Sequence, residues 1–132
     1  MDRLLAQHDG IRSGGAEMPD LVRFRVGSWD VDLFVTKSEF DREVLRRAVG
    51  VDVAGVRLRV VTPEDLVIHK LIKLLTDKRR LLQDAADLRA LTSANALDKE
   101  YLRTWLPPSD FSLVDRLPNL DEGALARALL SR

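Results

Sequence analysis

The chain contains no cysteine, and only two histidines, His8 and His69, occur among its 132 residues. The absence of cysteine excludes a disulfide framework, a thiolate metal site and a cysteine nucleophile. Two histidines cannot form a multi-histidine metal centre, and the sequence contains neither a nucleophile-elbow motif nor a glycine-rich phosphate loop. Carboxylates and basic side chains are therefore the remaining candidates for chemistry.

Net charge and long apolar runs are absent as well. The 21 basic residues balance 21 acidic residues, which argues against non-specific nucleic-acid binding, because such binding needs a net basic surface. The first residues lack the apolar stretch of a signal peptide, and no apolar run approaches the ~20 residues of a membrane span. We therefore expect a cytoplasmic protein, and an apolar content of 45% allows one domain over residues 1–132.

Two segments alternate strictly between apolar and polar residues, which predicts two β-hairpins. The first covers residues 22–35 around a Gly27-Ser28 turn suited to type II′, and the second covers residues 49–61 around Ala54-Gly55. Counting outward from each turn predicts one apolar and one polar face. The predicted polar pairs are Arg25 with Asp30, Arg23 with Asp32 and Asp52 with Arg57, and the predicted apolar pairs include Val26 with Trp29, Phe24 with Val31 and Val51 with Leu58.

Capping signals predict the helices. Ser38 with Asp41 opens a helix to about Ala48, and Thr62-Pro63 followed by two acids opens a helix to about Thr76. We expect an α+β fold in which two β-hairpins form a mixed sheet that helices cover on one face, followed by C-terminal helices. The predicted regions are a short helical and partly disordered lead-in (1–20), the sheet with one helix (21–61), helices including 79–91 and 98–105 (62–106), an irregular connector (107–120) and a C-terminal helix (121–132, with its helical part at 121–130).

Asp30 and Asp32 are the first candidate site. Residues at i and i+2 of a strand project from the same face, about 7 Å apart, which is how carboxylate pairs that bind metals are presented. The alternative is structural, because each carboxylate can pair with the arginine opposite it. The spacing alone leaves both interpretations open.

Two further candidates lie on predicted helices. Lys70 could bind phosphate, or it could belong to a solvated helix face together with His69 and Lys73. Arg80, Asp84 and Asp87 share a helix face at i, i+4 and i+7, which could be a site or an intrahelical ion pair.

Taken in order, these elements resemble the minimal nucleotidyltransferase superfamily, in particular the bacterial branch that includes abortive-infection toxin nucleotidyltransferases. The resemblance covers about residues 22–91. The matching motifs are a strand with an "hDhh" pattern (Val31-Asp32-Leu33-Phe34) and a "[ST]PEDL…K" helix (Thr62-Pro63-Glu64-Asp65-Leu66 with Lys70). A later helix corresponds to the family's "[KR]D…D" element, with Gln83-Asp84 and Asp87 at its positions.

The resemblance implies a magnesium site built from carboxylates. Members use three carboxylates, two of them in an Asp-x-Asp motif after a Gly-Ser turn, to hold Mg²⁺ that bridges the nucleotide phosphates. Here only Trp29 separates Gly27-Ser28 from Asp30, whereas the family places a helical segment there. Asp32 therefore matches the third carboxylate, and the first catalytic motif is missing. The resemblance thus implies that the chain begins partway through the family's domain.

Two functions follow from the resemblance. One is magnesium- and nucleotide-dependent transfer of a nucleoside monophosphate, with Asp30 and Asp32 as metal ligands and Lys70, Arg23 or Arg25 on phosphate. The other is a non-catalytic remnant that acts as a protein-interaction or toxin–antitoxin-type module. The missing strands would leave the strand at 29–35 with an open edge, so we expect a homodimer or a partner chain there.

Overall fold

A computed structural model describes residues 11–14, 19–76, 81–121, 123–124 and 127–128. The chain divides into two compact units, Met1–Glu43 and Val44–Arg132. The boundary between the units falls inside one helix, α1 (Glu39–Arg47).

The first unit is built on a three-stranded antiparallel sheet. Its strands are β1 (Ile11–Gly14), β2 (Pro19–Val26) and β3 (Trp29–Phe34), in the order β1-β2-β3. The register between β2 and β3 confirms the predicted one, with Arg23 opposite Asp32 and Arg25 opposite Asp30. Gly27 has a φ of +60°, as the first central position of a type II′ turn requires. β3 lies at an edge of this sheet among the described strands.

The start of α1 confirms the predicted cap. The backbone N–H of Asp41 donates to Ser38 Oγ at 3.0 Å, and the backbone N–H of Ser38 donates to Asp41 Oδ2 at 3.0 Å. This reciprocal pair satisfies two N–H groups that a helix start would otherwise leave without partners.

The second unit begins with a hairpin and continues with helices. Its hairpin pairs Asp52 with Arg57 and Val51 with Leu58, as predicted. Ala54 and Gly55 both have positive φ, +49° and +79°, which is the pattern of a type I′ turn. The elements are β4 (Val49–Val53), β5 (Val56–Val60), α2 (Pro63–Thr76), α3 (Leu81–Ala94), α4 (Lys99–Trp105), α5 (Pro108–Arg116) and a 3₁₀ turn (Leu117–Asn119).

The core of the second unit lies between its helices. α2 packs against α3 and α4, and the 3₁₀ turn packs against α3 and α5. The side chains that fill this core are aliphatic and almost wholly buried, namely Val67, Ile68, Leu71, Leu74, Ala85, Leu88, Leu102, Leu113, Val114 and Leu117. Because the buried residues of α2 and α3 recur at helical spacing, the two helices pack along these apolar faces. Lys70 of α2 and Asp84 of α3 meet where the two helices pack.

The α+β class is confirmed, but the prediction of one mixed sheet is wrong. The described strands form two separate sheets, and every pairing is antiparallel. Two-residue turns join β2 to β3 and β4 to β5, and such turns enforce antiparallel pairing. The apolar face of β4–β5 is also not covered by helices, since five of its side chains are 42–57% exposed.

Two predicted irregular segments contain regular structure. Ile11–Gly14, placed in the lead-in, is a strand that pairs with β2. Residues 107–120, predicted as a connector, contain α5, because Pro108 stands at the first helical position, where its missing N–H costs nothing. The predicted helix before Gly10 and the residues around Arg79 lie outside the described residues. Half of the predicted helix at 121–130 also lies outside the described residues, and within it residues 123–124 and 127–128 are helical.

None of the helices in the described part of the chain combines the length and the apolar composition that a bilayer crossing requires.

Candidate functional site

The carboxylates of the first hairpin are held by the arginines opposite them. Arg23 donates from Nε to Asp32 Oδ1 at 2.6 Å and from Nη2 to Asp32 Oδ2 at 2.9 Å. Arg25 donates from Nε to Asp30 Oδ1 at 2.9 Å. All four side chains are exposed. The hydrogen bond and charge of Asp32 raise the pKa of Arg23 above its ordinary value, so this guanidinium stays charged.

This pairing limits what Asp30 and Asp32 can bind. The two-fold hydrogen bond from Arg23 engages both oxygens of Asp32. A dication would have to displace a guanidinium whose planar geometry matches the carboxylate. The hairpin carboxylates therefore fit Mg²⁺ only after their arginines have moved to other anions.

Lys70 lies between α2 and α3, where it meets two carboxylates. Its Nζ donates to Asp84 Oδ1 at 3.3 Å and makes a second, short hydrogen bond to Asp87 Oδ2. The hydrogen bond to Asp87 raises the pKa of Lys70, and this effect outweighs the partial burial that lowers it. Lys70 is thus an inter-helix cation rather than a member of a fully solvated face. We call Lys70, Asp84 and Asp87 the lysine–carboxylate cluster.

Asp84 is the least exposed member of the cluster. It is only 1% exposed, and its Oδ2 atom has no hydrogen-bond partner among the described residues. A buried polar atom without a partner is costly and rare in folded proteins. Asp84 Oδ2 is therefore an acceptor atom that a water molecule or a metal ion would stabilise. The predicted ion pair with Arg80 falls outside the described residues.

The "PEDL" acids lie in a second polar cluster at the start of α2. Asp65 is fully buried, accepts from Tyr101 Oη at 2.6 Å and from Thr62 Oγ1 at 2.8 Å, and pairs with Arg47 Nε at 3.4 Å. The guanidinium carbon of Arg47 lies 3.6 Å from the centre of the Tyr101 ring. These contacts tie α1, α2 and α4 together.

Glu64 belongs to the same cluster. Its Oε1 accepts from the backbone N–H of Asp98 at 3.0 Å, and its Oε2 pairs with Arg47 at 3.4 Å. Asp98 in turn caps α4 through the backbone N–H groups of Glu100 and Tyr101. The motif acids thus join helices instead of facing solvent. Arg47 and Tyr101 were not predicted, because each lies far in sequence from its partners.

The structure brings only some of the predicted residues together. Arg23 with Asp32 and Arg25 with Asp30 meet in the first unit, whereas Lys70, Asp84 and Asp87 meet in the second. Glu64 and Asp65 meet Arg47 instead of Lys70. Across the described ranges, no three acidic or histidine side chains converge as a ready-made metal centre.

No protein-family model, curated protein or solved structure matches this chain. The likeness to nucleotidyltransferases therefore stays a prediction from the sequence motifs.

Proposed function

We propose that the chain is a nucleotidyltransferase-like domain that binds a nucleotide through the lysine–carboxylate cluster. The observation that carries the proposal is the position of Lys70 Nζ between Asp84 and Asp87, beside a buried carboxylate oxygen that has no partner among the described residues. These residues also correspond to the lysine of the "[ST]PEDL…K" element and to the two aspartates of the "[KR]D…D" element of the superfamily. A lysine with two carboxylates is a donor set suited to a nucleotide phosphate with its metal ion.

The donor set fits Mg²⁺ bound together with a nucleotide only once Lys70 has moved from the two carboxylates to a phosphate oxygen and the buried Asp84 has become accessible. Mg²⁺ prefers oxygen ligands and is usually held by one or two carboxylates together with substrate phosphates. Asp84 and Asp87 would hold the ion, which would neutralise phosphate charge. Lys70 supplies a compact positive charge for a phosphate oxygen. Without nucleotide, the same lysine neutralises the two carboxylates.

The reaction implied by the resemblance is transfer of a nucleoside monophosphate. The oxygen of an acceptor hydroxyl forms a bond to the α-phosphorus, the bond to pyrophosphate breaks, and the hydroxyl proton passes to a base. Such chemistry consists mainly of positioning and charge stabilisation. Within the first unit, the resemblance implies that Arg23 and Arg25 would leave their carboxylates for phosphate oxygens, so that Asp32 and Asp30 would be available to a metal ion.

A second candidate function is a non-catalytic module that retains the scaffold and binds another protein. The observation that favours it is the pairing of both hairpin carboxylates with arginines. In those pairs the arginines occupy Asp30 and Asp32, the carboxylates that the enzyme would need to bind its metal ion. In this case the ion pairs between β2 and β3 have only a structural role, and the chain would bind its partner through exposed surfaces.

Titration of the full chain with ATP, GTP, CTP and UTP, with and without Mg²⁺, distinguishes the two functions. We expect Mg²⁺-dependent NMR shift changes at Lys70, Asp84 and Asp87 for at least one nucleotide. Shift changes at Asp32 in the same titration would support the enzyme. No shift at millimolar nucleotide would overturn the proposal and leave the non-catalytic module.

Lys70→Met and Lys73→Met form a matched pair for the same titration. Both remove a lysine from α2, but Lys73 is exposed and lies outside the lysine–carboxylate cluster. We expect Lys70→Met to abolish nucleotide binding and Lys73→Met to retain it. Equal binding by the two variants would contradict the assignment of Lys70. The titration of the unmodified chain tests the proposal even if Lys70→Met does not fold.

A further inference from the structure

The two buried aspartates of the second unit are satisfied to different degrees. Asp65 is fully buried and both of its oxygens have partners: Oδ1 accepts from a tyrosine hydroxyl, and Oδ2 accepts from a threonine hydroxyl and an arginine. Asp84 is 1% exposed, and among the described residues its Oδ1 atom accepts from Lys70 at 3.3 Å while its Oδ2 atom has no partner. The Asp65 cluster is therefore a complete structural connection, whereas the lysine–carboxylate cluster is incomplete.

The cation of the incomplete cluster is also one that can move. Arg47 holds Asp65 with a planar guanidinium that lies over the Tyr101 ring. Lys70 is instead a point charge on a flexible stem, and its side chain is 26% exposed. The core between α2 and α3 is made of other side chains, so the ammonium can leave its carboxylates while the helices stay packed.

The ammonium of Lys70 occupies the place that a metal ion would need. Its Nζ donates to both Asp84 and Asp87, so it lies between the two carboxylates. Side-chain exposure rises from 1% at Asp84 to 26% at Lys70 and 42% at Asp87, and the cluster therefore opens to solvent at Asp87. A cation from solvent must displace the ammonium in order to contact both carboxylates.

We propose that Lys70 keeps free divalent cations away from Asp84 and Asp87, so that the cluster accepts a metal ion only together with a nucleotide phosphate. The second half of this inference rests on the proposed function, because the phosphate is the anion that draws Lys70 away. A divalent ion that arrives alone meets an ammonium already bonded to both carboxylates, and the two cations repel each other. An ion that arrives on a nucleotide brings the phosphate oxygens that the displaced ammonium needs.

The charges also explain why nucleotide alone is a poor ligand. A phosphate that draws Lys70 away leaves two carboxylates without their cation, beside an anion of the same sign. When metal ion and nucleotide enter together, the ion pairs with the carboxylates and Lys70 pairs with a phosphate oxygen, so each charge keeps a partner of opposite sign. Linkage requires each ligand to raise the affinity for the other by the same factor, typically about 5- to 150-fold. Lys70 is thus a specificity-determining residue that selects the metal–nucleotide complex over either component.

Titration of the nucleotide-free chain with Mn²⁺ tests the exclusion of free metal. Mn²⁺ takes the same oxygen ligands as Mg²⁺, and it broadens the NMR signals of residues close to it. We expect no selective broadening at Asp84 and Asp87 in the wild-type chain. Lys70→Met removes the ammonium, and we expect it to bind Mn²⁺ at least ~10-fold more tightly. Lys73→Met is the matched control, because Lys73 is an exposed lysine of α2 outside the cluster, and it should behave as the wild type does.

Stability provides a second readout of the same exclusion. A metal ion that binds only the folded chain stabilises it, so Mg²⁺ should raise the urea midpoint of Lys70→Met and leave that of the wild type and of Lys73→Met unchanged. The double variant Lys70→Met/Asp84→Asn should lose the Mn²⁺ binding that Lys70→Met gains. Retention of that binding, or equal Mn²⁺ affinities for Lys70→Met and Lys73→Met, would overturn the inference.

The wild-type chain decides the matter even if Lys70→Met does not fold. Selective broadening at Asp84 and Asp87 by Mn²⁺ alone would overturn the inference, whereas broadening that requires ATP, GTP, CTP or UTP together with Mn²⁺ would support it. A chain that binds nucleotide and also binds Mn²⁺ equally well alone would lose the inference and keep the proposed function. A chain that binds no nucleotide, but in which Lys70→Met gains Mn²⁺ binding, would confirm the exclusion of free metal and overturn the proposed function together with the nucleotide half of the inference.

Discussion

Ion pairs occur in both units of this protein, but in different environments. On the first hairpin, Arg23 and Arg25 pair with Asp32 and Asp30 as an exposed ladder across two strands. In the second unit, Arg47 and Lys70 pair with Asp65 and Asp84, which are 0% and 1% exposed. The first hairpin thus has exposed ion pairs, whereas the second unit has pairs with buried carboxylates between its helices in addition to exposed pairs such as Arg57–Asp52.

The comparison shows that burial, more than pairing, determines the energetic role of a charge. The charges of an exposed pair are well solvated both in the folded and in the unfolded chain, so the pair contributes little to the free energy of unfolding. A buried pair has lost its solvation, so removing one partner leaves an uncompensated charge in the interior. We therefore expect the four predictions below to separate buried pairs from exposed pairs, from the largest effect to the smallest.

Replacement of Asp65 should have the largest effect. Asp65→Ala leaves the Arg47 guanidinium and the Tyr101 hydroxyl without their buried acceptor, and we expect the free energy of unfolding to fall by about 3–5 kcal/mol. Urea denaturation followed by circular dichroism measures the change. Asp52→Ala, which removes the carboxylate of an exposed cross-strand pair, should have a far smaller effect. Equal losses for the two variants would mean that burial is not the deciding factor.

Replacement of Lys70 should have the next largest effect. Lys70→Met leaves the buried Asp84 carboxylate without its cation, and we expect a loss of about 2–3 kcal/mol in the same assay. The double variant Lys70→Met/Asp84→Leu should recover most of this loss, because it removes both charges and keeps apolar volume. A double variant that is less stable than Lys70→Met would contradict this account.

The stability of the chain should also depend on pH through Lys70. The folded pKa of Lys70 lies above its ordinary value of 10.5, so the contribution is fully present below pH 10.5 and disappears as pH rises through the folded pKa. Urea midpoints measured from pH 9 upward should fall more steeply for the wild-type chain than for Lys70→Met. Parallel curves for the two chains would show that Lys70 does not carry the effect.

Removal of the exposed arginines should have the smallest effect. Arg23→Ala and Arg25→Ala each remove one ion pair between β2 and β3. We expect the urea midpoint to change little, because solvent and salt screen such exposed pairs. Raising the salt concentration should reduce even this change. A clear loss of stability in either variant would indicate that these arginines have a structural role beyond pairing.

Local structure was predictable wherever neighbouring residues determine it. The register of each hairpin follows from strict alternation around a two-residue turn, and the cap of α1 follows from Ser38 and Asp41. α5 was missed because a Pro-Pro sequence was interpreted as a break. Pro107 follows the end of α4 and cannot continue that helix. Pro108 begins α5, whose buried residues include Leu113 and Val114.

The candidate site was predictable only as a set of separate residues. Asp84 and Asp87 were predicted to share a helix face, and Lys70 was predicted on another helix. No sequence feature places the Lys70 ammonium between them, because the 14 residues from Lys70 to Asp84 cross from one helix to the next. The packing of α2 against α3, in which Leu71, Leu74, Ala85 and Leu88 are all buried, brings the two helices together.

The sequence by itself determined which residues pair across the hairpins β2–β3 and β4–β5, where α1, α2 and α4 begin, and which faces of those strands are apolar. Those features depend on periodicity and on contacts between near neighbours. Only the tertiary structure decided that Asp65 and Asp84 are buried while Asp30 and Asp32 are exposed, that the described strands form two sheets, and that five aliphatic side chains on one face of β4–β5 are exposed. Burial depends on which distant surfaces meet, and alternation specifies the side of a strand but not what covers it.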